Sequence, residues 1–275
     1  MIKKVIHCSD IHIRAKMRFE EYAAQLTKFI ERCKEIASPY EKNEVRIVIS
    51  GDLLHQKNMI TPELIVFVSS FLIQLEQIAK VVVIAGNHDL IVDNIDKKDA
   101  LTSLFETAHF ENVWFLDYIL DFQSGSYCDD NITWVLFSIY ENYLAPDITK
   151  VKKETPDNTF IGLFHGMING VSLENNTTAD MGINKDIFAD CDMVMAGDIH
   201  KRQELVNSRG TKIVYPGSLI QQDFGETISK HGFAVWDLEK ETLEYEDIPS
   251  EYQLVNMTIE KDSDILEDKE IITNI

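Results

Sequence analysis

The chain lacks most of the marks of secreted, membrane-spanning or polyanion-coating proteins. Its four cysteines, Cys8, Cys33, Cys128 and Cys191, are scattered and form no C-x-x-C pair, which excludes a zinc ribbon and a dithiol redox motif. Basic residues are scarce: 26 Lys and Arg stand against 46 Asp and Glu, a net charge of −20 in 275 residues. Such a chain does not hold a phosphate backbone by bulk attraction, so nucleic-acid chemistry would need a local basic patch, metal ions or a partner. No apolar leader precedes the first strand, which follows directly on Lys3 and Lys4. The longest apolar run, residues 64–75, is interrupted by Ser69, Ser70 and Gln74 and is too short to span a bilayer. These absences imply no membrane and an intracellular, reducing setting, cytoplasmic or nucleoid-associated, or a host-cell interior for a viral protein. There is no internal repeat, and 45% hydrophobic with 26% charged residues is a globular balance that can bury a full core.

Strands and helices alternate in the first half. Residues 5–8, 45–50 and 81–85 are short apolar, β-branched runs. Phe19, Tyr22, Leu26, Phe29, Ile30, Cys33 and Ile36 recur at three- and four-residue spacing, which predicts an amphipathic helix over 19–37 ahead of Pro39. Thr61 and Pro62 predict the cap and first turn of a second helix reaching about residue 79. Continuous strands separated by helices predict a sheet covered on both faces. The second half predicts strands at 134–139, 160–164, 193–196, 212–215 and 233–238, the last two alternating in part as antiparallel strands do. Residues 252–259 read as a further strand. The expected division is a main domain over 1–248, with 249–275 starting a capping domain or a tail.

Metal-ligand side chains fall where these strands end: Asp10-Ile11-His12, Gly51-Asp52, Gly86-Asn87-His88-Asp89, His165-Gly166 and Gly197-Asp198-Ile199-His200. Open sheets gather ligand sites at the carboxyl ends of their strands. Carboxylates, an amide oxygen and neutral imidazoles suit manganese, iron or zinc. One carboxylate can bridge two such cations roughly 3.5–4 Å apart. A glycine before Asp52, Asn87 and Asp198 lets the backbone turn sharply there. A lone D-x-H or G-D is common on surface loops; five such motifs at five strand ends are not. His7, inside a strand, reads as a core residue, and His109 and His231, without neighbours of ligand type, as surface or loop residues. Arg14, Lys16 and Arg18 follow the first motif, and Lys201 and Arg202 the last; they are candidates for contact with substrate phosphate, or else a solvated loop.

In this order the motifs resemble the calcineurin-like metallophosphoesterases over residues 1–240. Gly51-Asp52-Leu53-Leu54-His55 and the segment Tyr215-Pro216-Gly217-Ser218-Leu219-Ile220-Gln221-Gln222-Asp223-Phe224-Gly225-Glu226 are similar to the SbcD, or meiotic-recombination-eleven, DNA repair nucleases. The resemblance implies an α/β fold, a two-sheet sandwich flanked by helices in four αββα layers. It implies one cation on Asp10, His12, Asp52 and His200 and a second on Asp52, Asn87, His165 and Asp198, with Asp52 shared and manganese the expected metal. His88 would stand beside the scissile phosphate as acid or transition-state stabiliser, His55 near the substrate, and Asp89 would orient His88. The family usually carries His where this chain has Asp198, which adds a negative charge at the second cation.

The function so implied is a manganese-dependent exonuclease or endonuclease that hydrolyses DNA phosphodiesters in repair or recombination. DNA and an SbcC-type ATPase subunit would be its partners, and a homodimer a common assembly. One alternative is a metallophosphatase or phosphodiesterase acting on a substrate other than DNA. Another is a non-catalytic binding module, against which the His88-type acid argues.

Overall fold

The computed structural model describes residues 1–91 and 98–255. In the first half β1 (Lys4–Cys8), β2 (Val45–Ser50), β3 (Lys80–Ile84) and β4 (Val113–Phe115) pair in parallel. A second sheet follows, from β5 (Gly125–Asp129), β6 (Ile132–Phe137), β7 (Thr159–His165), β8 (Met193–Gly197), β9 (Gln203–Val206) and β10 (Lys212–Tyr215), in the order β5-β6-β7-β8-β10-β9. The chain then returns: β11 (Gly232–Asp237) lies antiparallel to β1, and β12 (Thr242–Asp247) closes the first sheet as β12-β11-β1-β2-β3-β4.

Parallel neighbours need crossovers, and helices supply them. They are α1 (Phe19–Ala37), α2 (Pro62–Ile78) and α3 (Ala100–Thr107). The Thr61 hydroxyl accepts the Leu64 N–H at 3.2 Å and the Asp99 carboxylate accepts the Thr102 N–H at 2.7 Å, so α2 and α3 both start on a side-chain cap. Side chains on a strand alternate between faces. Ile6, Ile47, Ile49, Val81 and Val83 therefore meet Leu26, Phe29, Leu72 and Leu75 of the helices. Val5, Val48 and Val82 turn the other way and pack between the sheets on Trp134, Leu136, Ile161 and Leu163. The outer face of the second sheet, with Phe160, Phe164 and Val194, is covered by Ile168, Val171 and Phe188. The result is an α/β sandwich of two mixed sheets flanked by helices.

Several details differ from the sequence reading. The strand expected over 134–139 ends at Phe137, because the Ser138 side chain caps a short turn by accepting the Tyr140 N–H at 3.3 Å. β10 is antiparallel only to β9; against β8 it is parallel. Residues 252–255, the described part of the strand expected at 252–259, are irregular, and the rest of it lies outside the described residues, as does most of 249–275. Among the described residues no helix is long and apolar enough to cross a membrane.

Candidate metal centre

Strands of both sheets end at the same edge of the sandwich. Asp10 and His12 follow β1, Asp52 follows β2, Asn87 and His88 follow β3, His165 ends β7, and Asp198 and His200 follow β8. Their polar tips converge. His12 Nε2 lies 3.4 Å from Asp52 Oδ2, 4.0 Å from Asp10 Oδ1 and 3.2 Å from His200 Nε2. His165 Nε2 lies 3.4 Å from the same Asp52 oxygen, 3.2 Å from Asn87 Oδ1 and 3.9 Å from Asp198 Oδ1. Asp52 thus stands between two groups of ligand atoms. Asp10, His12, Asp52 and His165 form a buried floor, while Asn87 is exposed and His88, Asp198 and His200 are half-buried, so the cluster opens to solvent on one side.

The backbone is held in an unusual shape to achieve this. Asp10, His12 and Asp52 have φ of 53°, 52° and 52°, and Asp198 has φ of 93°. Non-glycine residues avoid this region, and clusters of such residues mark functional sites. The preceding glycines do different jobs from the shared one expected. Gly51 adopts φ of 94°, a true left-handed turn. Gly86 and Gly197 only leave room, as Gly51 also does for His165: a Cβ would lie 2.0 Å from Asp52 Oδ1 at Gly86, 2.1 Å from Ser9 Oγ at Gly197 and 2.1 Å from His165 Nδ1 at Gly51.

Outer partners aim the imidazoles. His165 Nδ1–H donates to the Ser50 carbonyl at 2.8 Å, and His200 Nδ1–H donates to Glu226 Oε1 at 2.5 Å. Each bond leaves Nε2 as the inward nitrogen, the arrangement metal-binding histidines use. Glu226 was not singled out in the sequence, although it closes the segment 215–226; its signal would have been a carboxylate returning to the sheet edge after the last motif. Its other oxygen accepts from Ser218 Oγ and the Gln222 N–H. His231 also faces this carboxylate, at 3.9 Å, and so has the ligand-type neighbour that the sequence reading denied it. His109 is exposed and His7 is a fully buried core residue bonded to Ser50 Oγ at 2.8 Å, as expected.

Charge defines what the cluster can hold. Asp10 and Asp52 are 0% and 2% exposed, and among the described residues only histidines stand within ion-pair distance of either. Burial lifts the Asp10 carboxyl to about 6 against the pull of His165 and His200. Burial would lift Asp52 too, but the His165 and His12 imidazoles hold it below the usual carboxylate range. Burial opposes charge on His165, yet Asp52, Asp10 and Asp198 push its pKa well up. On His200 the Glu226 hydrogen bond and Asp10 outweigh burial and raise it to about 9. His12, by contrast, is driven well down by burial and by neighbouring imidazoles in spite of Asp52. A concentration of carboxylate and amide oxygens with imidazole nitrogens, unneutralised by Lys or Arg, fits divalent cations of the hard or borderline kind. A third grouping, His12, His55 and His88, brings ligand atoms within 4.8 Å of one another. There Arg14 Nη1 donates to His55 Nε2 at 2.6 Å, which occupies that lone pair and sets a fixed positive charge where a cation would sit.

The remaining expected residues separate into two kinds. His88 lies at the centre: its N–H donates to Asp52 Oδ1 at 2.9 Å and its Nδ1–H to the His55 carbonyl at 2.9 Å, with the His55 ring stacked 5.3 Å away. Asp89 does not orient that ring, a correction to the sequence reading. Its buried carboxylate accepts the N–H groups of Leu53, Leu54 and Gly86, and so ties the β2 and β3 loops together. Of the basic residues, Arg18 is engaged by Glu21 and the Gln221 carbonyl. Lys201 is engaged by Ser172 and Asn176, and Arg202 by Asp247 and the face of Tyr245. Their placement as phosphate contacts therefore gives way to loop anchoring. Arg14 stays beside His55, and Lys16 is exposed with no side-chain hydrogen bond among the described residues.

The chain is similar to known proteins at the level of family and fold. Residues 3–202 match the model of the calcineurin-like phosphoesterase family. The uncharacterized protein R555 of Acanthamoeba polyphaga mimivirus is 34% identical over 264 residues, which is 91% of this chain and 18% of that protein. The chain therefore spans about a fifth of that relative's length. Among solved structures, a dimetal phosphatase from Danio rerio has a similar fold, with a TM-score of 0.50, 9% identity, and coverage of 86% of this chain and 93% of the other.

Proposed function

The chain belongs to the calcineurin-like phosphoesterase family, and from that premise we propose that it is a two-metal phosphatase or phosphodiesterase acting on a substrate other than DNA. The observation that carries this reading is Asp52 Oδ2, placed 3.4 Å from both His12 Nε2 and His165 Nε2. Asp10, His12, Asp52 and His200 would hold one divalent cation, and Asp52, Asn87, His165 and Asp198 the other. Such a pair, when bound, activates water near neutral pH and offsets charge on a phosphoryl group. The chain's own residues supply the rest. His88 donates its Nδ1–H to the His55 carbonyl, which leaves Nε2 free to carry the proton a departing oxygen needs. Asp198 would bring a negative charge to the second cation and so lower the electrophilicity available there.

The preference for a substrate other than DNA rests on charge. The chain carries −20 overall, and Arg18, Lys201 and Arg202 are committed to protein partners. The Danio rerio protein of similar fold is a dimetal phosphatase. The second reading is an SbcD-type nuclease working on DNA with an SbcC-type ATPase that supplies the missing positive surface. One observation favours it: the 215–226 segment folds onto the centre, with Gln222 Nε2 donating to the Ile11 carbonyl at 3.0 Å and Glu226 accepting from His200.

The test is manganese-loaded protein assayed on nitrophenyl phosphate, bis-nitrophenyl phosphate and linear duplex DNA, beside a His88→Ala variant. Turnover of the nitrophenyl esters should fall by about 10²–10⁴ in the variant. Cleavage of DNA that depends on His88, with the small esters untouched, would replace this reading by the nuclease. Turnover of none of them would leave the binding module.

A further inference from the structure

Tyr143 stands in a loop that no motif marked. Asn142 and Tyr143 have φ of 52° and 61°, two successive non-glycine residues in the left-handed region. A bulky residue in that region is a true outlier, and it persists only where its surroundings impose it. Here they do. The Tyr143 N–H donates to the Ser138 carbonyl at 3.0 Å and the Asn142 N–H to the Ile139 carbonyl at 3.2 Å. Ser138 is itself anchored, donating from Oγ to the Phe122 carbonyl at 2.8 Å. The strained pair aims the ring inward, against Phe164 at a centroid separation of 4.8 Å.

The phenol ends beside the candidate centre. A Cβ on Gly166, the residue after His165, would lie 2.8 Å from the Tyr143 hydroxyl and 3.0 Å from ring Cζ, so glycine is what admits the ring. Tyr215 fixes that glycine from the other side, donating its hydroxyl to the Gly166 carbonyl at 2.7 Å. A phenol stays protonated at neutral pH, so the Tyr143 hydroxyl is a neutral donor. Among the described residues its hydroxyl has no hydrogen-bond partner, and the residue is only half-buried. A half-buried hydroxyl held by strain against the residue that follows His165, with its bond unspent among the described residues, is placed for a ligand.

We propose that Tyr143 is a substrate-contacting residue whose hydroxyl donates a hydrogen bond to a nonbridging oxygen of the phosphoryl group bound on the Asn87, His165 and Asp198 side. This rests on the phosphoester reading above. The bond would strengthen as charge grows on that oxygen in the transition state, so it would serve turnover as well as binding.

The test compares manganese-loaded wild type with Tyr143→Phe, which keeps the ring packed on Phe164 and Gly166. Inorganic phosphate binding is read by calorimetry, nitrophenyl phosphate kinetics by kcat and kcat/KM, and manganese affinity and Tm as controls. Loss of a hydrogen bond to a charged group predicts about tenfold or greater weakening of phosphate binding and a matching fall in kcat/KM, with manganese affinity and Tm unchanged. Equal phosphate affinity in two proteins that both hydrolyse the ester would overturn the role of Tyr143 and leave the enzymatic reading intact. A fall in manganese affinity would overturn it as well, by assigning the hydroxyl to the ligand cluster. If neither protein bound phosphate nor turned over ester, this proposal and the phosphoester reading would fall together.

Discussion

Glu226 Oε1 and His200 Nδ1 lie 2.5 Å apart although 26 residues separate them in the chain. The carboxylate is buried and fully used, so it fixes the ring rather than following it. Glu226→Gln keeps the shape but removes the charge that holds Nδ1–H, and it sets an amide donor against existing donors. Manganese affinity should fall roughly 10–100-fold, the usual effect of losing such a partner, in a calorimetric titration of chelator-stripped protein. Unchanged affinity would mean that the imidazole is aimed by its backbone alone.

A second long-range pair joins the two sheets. Arg46 of β2 forms a forked bond to Asp129 of β5, Nε to Oδ2 at 2.6 Å and Nη2 to Oδ1 at 2.8 Å, with both residues buried. Trp134 Nε1 and Lys80 Nζ complete the carboxylate's shell at 3.3 Å and 3.4 Å. Arg46→Ala should destabilise the protein by about 3–5 kcal/mol in denaturant unfolding, because it strands a buried charge. Lys80 lies close enough to soften that loss. The double substitution Arg46→Met with Asp129→Leu should recover most of it; equal instability of the single and double variants would show that the pair itself, and not the stranded charge, was stabilising.

Helices α1 and α2 and strand β2 were legible at the residue level because period and capping are local signals. Tyr22 shows where such reading stops. Its spacing marks it as an apolar helix position, and it is fully buried, yet its hydroxyl donates to the His12 carbonyl at 2.5 Å and steadies the ligand loop. The convergence of Asp10, His12, Asp52, His165 and His200 was legible because each sits beside a strand end, whereas Glu226, His231 and Tyr143 reach the same edge through loops whose paths no periodicity records. Asp89 was misread for the same reason. Adjacency to His88 in sequence suggested a side-chain contact, but unpaired backbone N–H groups of two loops compete for a buried carboxylate and win. Short edge strands such as β4 and β9 are held by their neighbours, not by their own propensity.

Asp117, at the start of a short helical turn (Leu116–Ile119), is 1% exposed and its Oδ2 accepts the Ala85 N–H at 2.8 Å. Burial raises its carboxyl from 3.8 to about 7, partly countered by that bond. The folded state therefore binds the proton more tightly than the unfolded one. The stability from the neutral acid is complete below about pH 4 and is lost as the pH rises through about 7. Asp117→Asn, which keeps a neutral acceptor, should not share that loss. The stability difference in favour of the variant should grow between about pH 4 and 7, to a ceiling on the order of 4 kcal/mol. Urea unfolding across this range is the measurement, and parallel pH curves for the two proteins would contradict the raised pKa.

Gly86 separates steric demand from backbone freedom. Its φ is not left-handed, but a Cβ there would lie 2.0 Å from Asp52 Oδ1 and 2.5 Å from Asp52 N, so the neighbour that must move is the shared carboxylate and its own main chain. Asp52 Oδ1 also accepts the His88 N–H at 2.9 Å, so a displaced Asp52 would shift the candidate acid too. Gly210 is the converse: φ is 88° and a Cβ would meet nothing within 4 Å. Gly210→Ala should therefore cost about 1 kcal/mol of stability through strain alone and leave metal binding intact. Gly86→Ala should reduce tightly bound manganese, measured by plasma emission after dialysis, at both positions together, because one displaced carboxylate serves both groups of ligand atoms. Loss at only one position in Gly86→Ala would mean that Asp52 belongs to a single cation, and the sharing argued from its two 3.4 Å contacts would have to be given up.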